Sequence, residues 1–236
     1  MNFICLAAGK GTRFGRLNRY LQKCMYPING KPFLEYSLEN LSSSIKNDIN
    51  LTIVVGFKME QILNYFGNNF KNICLNYVLQ EEPLGTGHAL KLAYKDDKVK
   101  SKNYLFWHAD NMLRKEHLKK IIKSEQKNIM SVYKNIAYRK IFERFETQGA
   151  KITKAYNGKS DYVDVGISRF SENVMKFMGN LKTNEYRYLL SVQAAIEAGE
   201  IVYYLEEDNW IHLGDIEPSF EDNIKEVTRR VGGFEC

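Results

Sequence analysis

Three short runs of residues are equipped for chemistry. The first, LAAGKGTR over 6–13, follows an apolar run and combines small residues, two glycines and two cations. Gly9 and Gly11 permit positive φ and let backbone N–H groups approach a ligand closely. A row of such amides is an anion nest, and Arg13 adds a forked donor suited to phosphate oxygens. Lys23, later in the same polar loop, offers a second cation. The run lacks the Gly-Lys-Ser/Thr ending of a Walker loop and the full G-x-G-x-x-G fingerprint, so alone it fits a flexible surface turn as well.

The second run is QEEPLGTGHAL over 80–90. Gln80 closes a strand-like segment, and an amide at that point can pair with a base edge. Either sense of the amide is chemically open, serving uracil or cytosine. Gly85-Thr86-Gly87 opens a helix with Thr86 or its neighbour as cap, and a capped strand–helix turn explains this run equally well. The third run, LFWHADN over 105–111, sets Asp110 just past a buried strand. A carboxylate there suits Mg²⁺, which takes one or two carboxylates together with substrate phosphates. The competing role is a cap for the helix near Lys115. His108 reads as a packed or hydrogen-bonded histidine.

Elements must hold these runs in place. FICLAA, LTIVVG, NICLNYVLQ and NYLFWHADN read as strands, separated by the helical patterns PFLEYSLENLSSSI, KMEQILNYFG and TGHALKLAYK. Such alternation predicts parallel strands covered by helices on both faces. After Lys115 the order changes to successive strand-like runs: IMSVYKNI, KIFERFE, AKITKAY and YVDVGISRF. A helix over about 185–198 with Gly199 as its C-cap, a strand EIVYYLEE and a closing helix over about 218–230 follow. The expected class is α/β: a Rossmann-like mixed, mostly parallel sheet flanked by helices, with a strand-rich second half. Residues 1–236 read as one domain, with halves at 1–115 and 116–236.

Composition excludes other classes. With 44% hydrophobic and 26% charged residues the chain reads as globular, and its longest apolar run, 3–8, is far too short to span a membrane. A cytoplasmic location is expected. Cys5, Cys24, Cys74 and Cys236 show no metal spacing and read as reduced core thiols. The net charge of +6 favours anionic partners, but the cations are scattered, which suits a nucleotide better than nucleic acid.

Together, LAAGKGTR with Lys23 and GKP, Gln80 with GTGHA, and ADN, in that order, resemble the nucleoside-triphosphate transferases, the pyrophosphorylases of sugar phosphates and related substrates. LGTGHA is similar to the base-binding turn of N-acetylglucosamine-1-phosphate uridylyltransferases. ADN is similar to that of phosphocholine cytidylyltransferases, which act on small non-sugar phosphates. The resemblance implies a bound NTP, Mg²⁺ (or Mn²⁺) and pyrophosphate release. It assigns the triphosphate to Gly9, Gly11, Thr12 and Arg13, with Lys23 at the transition state, and the nucleoside to Leu6, Ala7, Ala8, Gln80, Gly85 and Thr86. Asp110 would hold the metal.

The second half departs from the sugar enzymes. Their Glu-Lys pair has no Glu here; Asn157 stands near its position, and Asp164 replaces the Asn before Gly166-Ile167. Lys151, Lys154 or Lys159 would contact the acceptor phosphate. The usual W-x-D-x-G appears as WIHLGD, so Asp215 becomes the candidate second metal ligand and His212 a weaker one, imidazole being a poor Mg²⁺ ligand. These departures argue against an ordinary hexose phosphate, and the resemblance to cytidylyltransferases of small non-sugar phosphates implies CTP and a small phosphorylated acceptor of amino-acid type, such as L-glutamine phosphate, in capsule or surface-polysaccharide modification. Arg139 and Arg144 would meet its carboxylate, and Asp164, Asp161 or Glu146 its ammonium. The alternatives are a uridylyl-, guanylyl- or thymidylyltransferase of sugar 1-phosphates, and a non-catalytic nucleotide sensor. Nucleic acid and membrane are not expected partners, and a homo-oligomer is allowed.

Overall fold

A computed structural model describes residues 1–96, 100–134, 143–179, 186–214 and 220–232. Arg139 and Asp215 lie outside the described residues, as does the side chain of Arg13.

The strands are β1 (Asn2–Ala7), β2 (Pro27–Ile28), β3 (Lys31–Pro32), β4 (Ile49–Val55), β5 (Asn69–Phe70), β6 (Ile73–Leu79), β7 (Asn103–His108), β8 (Ile129–Lys134), β9 (Glu146–Gln148), β10 (Lys151–Lys154), β11 (Tyr162–Ser171) and β12 (Tyr203–Glu206). The helices are α1 (Phe33–Ser44), α2 (Met59–Phe66), α3 (Thr86–Lys95), α4 (Lys115–Lys123), α5 (Glu172–Met175), α6 (Tyr188–Glu197) and α7 (Phe220–Gly232). Ten strands form one sheet in the order β5-β6-β4-β1-β7-β11-β8-β12-β10-β9, so both halves of the chain contribute to it. The block β6-β4-β1-β7 is parallel, and β11 enters antiparallel between β7 and β8. Following the pairings across, seven of these ten described strands run the same way. This is the mixed, mostly parallel sheet that the alternating pattern predicts.

The near-continuous apolar strands are explained by burial on both faces. Phe3, Cys5 and Ala7 of β1 and Leu105 and Trp107 of β7 pack with α1, α2 and α4 residues such as Leu38, Ile62 and Leu118. The alternate residues Ile4, Leu6, Tyr104 and Phe106 pack with Leu90 of α3, Val174 of α5 and Val192 of α6. The period of two splits each strand between two cores. Helix α6 begins at Tyr188, three residues later than expected, and Gly199 follows its end at φ +98, as a helix-stopping glycine should.

One expectation is corrected. Cys5 and Cys24 are buried, but Cys74 points outward from β6 and is exposed, because alternation puts the odd neighbours Ile73 and Leu75 inside. No described helix is long and apolar enough to cross a membrane.

Segments far apart in sequence are stitched by buried polar groups. Ser37, fully buried on α1, accepts the Leu113 N–H at 2.9 Å. Ser37→Ala leaves that N–H unpaired and is expected to cost about 1–2 kcal/mol. Thermal denaturation should show it as a Tm lower by roughly 3–6 °C.

Candidate nucleotide site

The site lies at the carboxyl ends of the parallel strands, where open α/β sheets bind ligands. A cavity of about 560 Å³ opens there, lined by the loop after β1, by Gln80, Gly85 and Thr86, and by His108 and Asp110 after β7.

Gln22 holds the opening loop against the sheet. It is 3% exposed and bonds through both ends of its amide and through its backbone N–H. Its Nε2 donates to Ala7 O at 2.6 Å, its Oε1 accepts Cys24 N–H at 2.7 Å, and its own N–H reaches Gln61 Oε1 at 2.8 Å. Lys23 follows and is thereby aimed at the cavity. Gly11 has φ +59, and a Cβ there would sit 3.3 Å from Lys23 Cβ. Gly9 is not left-handed, so of the two glycines only Gly11 requires the conformation expected for both. After it the chain forms a short 3₁₀ segment, Thr12–Arg19, kinked at Gly15, rather than a regular α-helix.

Asp110 sits in the turn after β7. Its Oδ2 is 2.6 Å from Lys23 Nζ and 3.4 Å from His212 Nε2. Burial opposes its ionisation, but Lys23, and then His212 and His108, overcome this and hold the carboxyl well below its usual range. It does not cap α4, whose N-cap is Arg114. His212 arrives because 210–213 runs beside 110–112: Met112 N–H donates to Ile211 O at 2.9 Å, and Leu213 N–H to Asp110 O at 2.8 Å. Trp210 Nε1 donates to Asn111 Oδ1 at 2.6 Å and locks this junction. ADN and WIHLG, about a hundred residues apart in sequence, therefore meet.

The donor set fits a metal ion in a limited way. Among the described residues no group of three His, Cys, Asp or Glu could hold one. An ionised carboxylate at the edge of this cavity does suit Mg²⁺ that draws its other ligands from substrate and water.

The turn after β6 is clamped from the second half. Tyr186 N–H donates to Leu84 O at 2.7 Å, and Gly87 N–H to Tyr186 O at 2.6 Å. Thr86 Oγ1 accepts the Tyr188 N–H at 3.1 Å rather than capping its own helix, whose N-cap is Gly85. A Cβ on Gly87 would lie 2.8 Å from Tyr186 O, which is why the turn needs glycine there.

Of the residues expected to bind the acceptor, Asp164 and Gly166 reach this end of the sheet and Lys151 and Lys154 do not. Ile167 pairs with Trp107, and the β11 register shifts between Asp164 and Ser168, a bulge that re-aims Asp164. Asp164 Oδ1 accepts from Gly166 N–H at 2.9 Å and Tyr188 OH at 2.5 Å. Burial dominates there and raises its carboxyl, against the pull of His108 and Tyr188. Lys151 and Lys154 belong to β10, three strands from β11, and Lys154 lies 3.6 Å from Glu146. Sequence reasoning missed Tyr188 and Gln22. Tyr188 reads as an apolar helix position, and nothing local marks Gln22. His108 is packed against Gly166 as expected, yet it also lines the cavity.

Known proteins match this arrangement. The bifunctional protein GlmU of Methanococcus maripaludis (strain C5) is 32% identical over 190 residues, 78% of this chain and 44% of that protein. The D-glycero-alpha-D-manno-heptose 1-phosphate guanylyltransferase of Aneurinibacillus thermoaerophilus is 37% identical over 112 residues, 48% of this chain and 47% of that one. The aligned part is thus less than half the length of either relative. The structure of the inositol-1-phosphate CTP transferase from T. maritima has a TM-score of 0.75 at 18% identity, over 96% of this chain and 95% of that one, and shares the fold. Residues 2–229 match the family described as nucleotidyl transferase, and the chain belongs to that family.

Proposed function

We propose that this chain transfers CMP from CTP to a small phosphorylated acceptor of amino-acid type, in the manner of a CTP:phosphoglutamine cytidylyltransferase, with release of pyrophosphate. The observation that carries nucleotidyl transfer is the Lys23–Asp110 pair at the cavity between the opening loop and the Gln80 turn. Loss of the sugar-binding Glu, and Asp164 in place of Asn, support a non-sugar acceptor.

In this reading an acceptor phosphate oxygen attacks the α-phosphorus of CTP. The new P–O bond forms as the bond to the β-phosphate oxygen breaks, and pyrophosphate leaves with that electron pair. Main-chain amides of the loop containing Gly9, Gly11 and Thr12 grip the phosphates, with Arg13 as a further donor. The ammonium of Lys23, half-buried beside the same phosphates, offsets charge that builds on them. Leu6, Ala7 and Ala8 with Gln80, Gly85 and Thr86 flank the nucleoside. Mg²⁺, or Mn²⁺ in its stead, would be held by Asp110 and would neutralise phosphate charge. Asp215 and His212 are the proposed second ligands, and Arg139 would meet the acceptor carboxylate. Lys151 and Lys154 carry less weight, given their distance across the sheet. Positioning supplies the rest of the rate.

A second reading, transfer to a sugar 1-phosphate, is supported by the name of the guanylyltransferase relative. One experiment separates the two: pyrophosphate release measured with CTP, UTP, GTP and dTTP, each against L-glutamine phosphate, phosphocholine and hexose and heptose 1-phosphates. Turnover with CTP and a non-sugar phosphate is the expected result. Turnover only with sugar 1-phosphates would replace it by the second reading. Nucleotide binding without any pyrophosphate would leave a sensor.

A further inference from the structure

A carboxylate as deeply buried as Glu207, 2% exposed, needs a task that an apolar residue could not perform. Resting on the nucleotidyl-transfer reading, we infer that Glu207 is a positioning residue: paired with Arg114, it sets the register of 209–213 against 110–114 and so brings His212 to Asp110.

The two segments meet with Asn111 opposite His212 in an antiparallel bridge. Met112 N–H bonds to Ile211 O on one side of that bridge, and Leu213 N–H to Asp110 O on the other. Carried on along both segments, the same pairing sets Arg114 opposite Asn209. Glu207 ties these two residues together: its Oε1 accepts from Arg114 Nη1 at 2.8 Å and from Asn209 N–H at 3.1 Å. The Glu207 N–H donates to Val132 O at 2.8 Å, which anchors it to β8. Its Oε2 lies 3.4 Å from His117 Nδ1, and His117 Nε2 lies 2.7 Å from Ser131 Oγ, so the carboxylate is enclosed from behind as well.

Apolar burial alone does not set this register. Trp210 packs into one core, and Ile211 and Leu213 into another, so all three are buried. A slip of one residue would still put apolar side chains into apolar surroundings. It would turn His212 to the opposite face and away from Asp110, whose Oδ2 is 3.4 Å from His212 Nε2. The slip would also part the buried carboxylate from Arg114 and Asn209 together, which is what forbids it. Burial raises the Glu207 carboxyl, with the Asn209 N–H and then Arg114 opposing it, so the pair adds little net stability. Register is the use that remains.

The test compares wild type, Glu207→Gln and the double variant Arg114→Met with Glu207→Met, each as the whole chain. The double variant leaves neither charge of the pair behind, so its Tm should stay within about 5 °C of wild type. The first readout is hydrogen exchange, followed by NMR, at the indole N–H groups of Trp107 and Trp210, the two tryptophans of the chain. Trp210 Nε1 donates to Asn111 Oδ1 across the junction, whereas Trp107 lies within β7. In the double variant the Trp210 signal should shift and exchange about tenfold faster or more, with that of Trp107 unchanged. The second readout is pyrophosphate release with the best substrate pair of the panel above. It should fall by about a hundredfold in kcat, with the KM for nucleotide nearly unchanged. Glu207→Gln keeps an acceptor oxygen for Arg114 and Asn209 and should retain both the signal and the turnover. An unmoved Trp210 signal overturns the inference, as does wild-type turnover in the double variant or its failure to fold. If wild type releases no pyrophosphate while the Trp210 signal moves as stated, the nucleotidyl-transfer reading falls and the register role of Glu207 stands.

Discussion

Asp110→Asn is expected to cut turnover by about a thousandfold or more, as removal of a group that manages phosphate charge should. The fold should survive, since Asp110 lies in a turn beyond the end of β7 and its side chain is 26% exposed. Asn keeps the shape but surrenders the negative charge that Lys23 faces at 2.6 Å. Pyrophosphate release and thermal denaturation should be read together. A variant with near-normal turnover would remove Asp110 from the mechanism, and one that fails to fold would show the pair to be structural. The pH dependence has a definite sign. The folded-state pKa of Asp110 is depressed, so its stabilising contribution is complete above the usual carboxylate range and is lost as pH falls through the folded value. Wild type should therefore lose more stability than Asp110→Asn in strong acid.

Gly166→Ala is expected to lower stability by about 2–4 kcal/mol, from a left-handed backbone and an overfilled contact together. Gly166 has φ +73, and a Cβ there would lie 2.6 Å from His108 Nδ1. The ring has little freedom to retreat, with Tyr188 edge-on at 5.7 Å and Phe106 at 6.4 Å. Tm should drop by roughly 10 °C. The KM for acceptor phosphate should rise more than that for nucleotide, because the Asp164 bond to Gly166 N–H is disturbed first. A variant with unchanged Tm would mean that His108 moves aside freely.

The nucleotide half was largely legible in the sequence. Strands buried on both faces read as unbroken apolar runs, and the small residues after β1 and β6 announce backbone that something must approach. The pairing of ADN with WIHLG was legible only through resemblance, since no local pattern tells residue 111 to face residue 212. Two details went the other way for physical reasons, and a third was left open in the sequence. Cys74 faces solvent because its strand alternates, and Gly9 needs no special φ. Of the two cap candidates at the start of α3 it is Gly85 that caps, since Thr86 spends its hydroxyl on the Tyr188 N–H. The second half was less legible, because a bulge in β11 decides where Asp164 points, and bulges leave little trace in sequence.

The splice at 186–188 has a bearing on how such a protein could change its preferences. Tyr186 and Tyr188 grip the Leu84–Gly87 turn, and Tyr188 also reaches Asp164 through its hydroxyl. Under the proposed reading one short stretch serves both reactants. A mutation there is felt on both sides of the reaction, so drift towards a new co-substrate is cheapest at residues that lie off the splice.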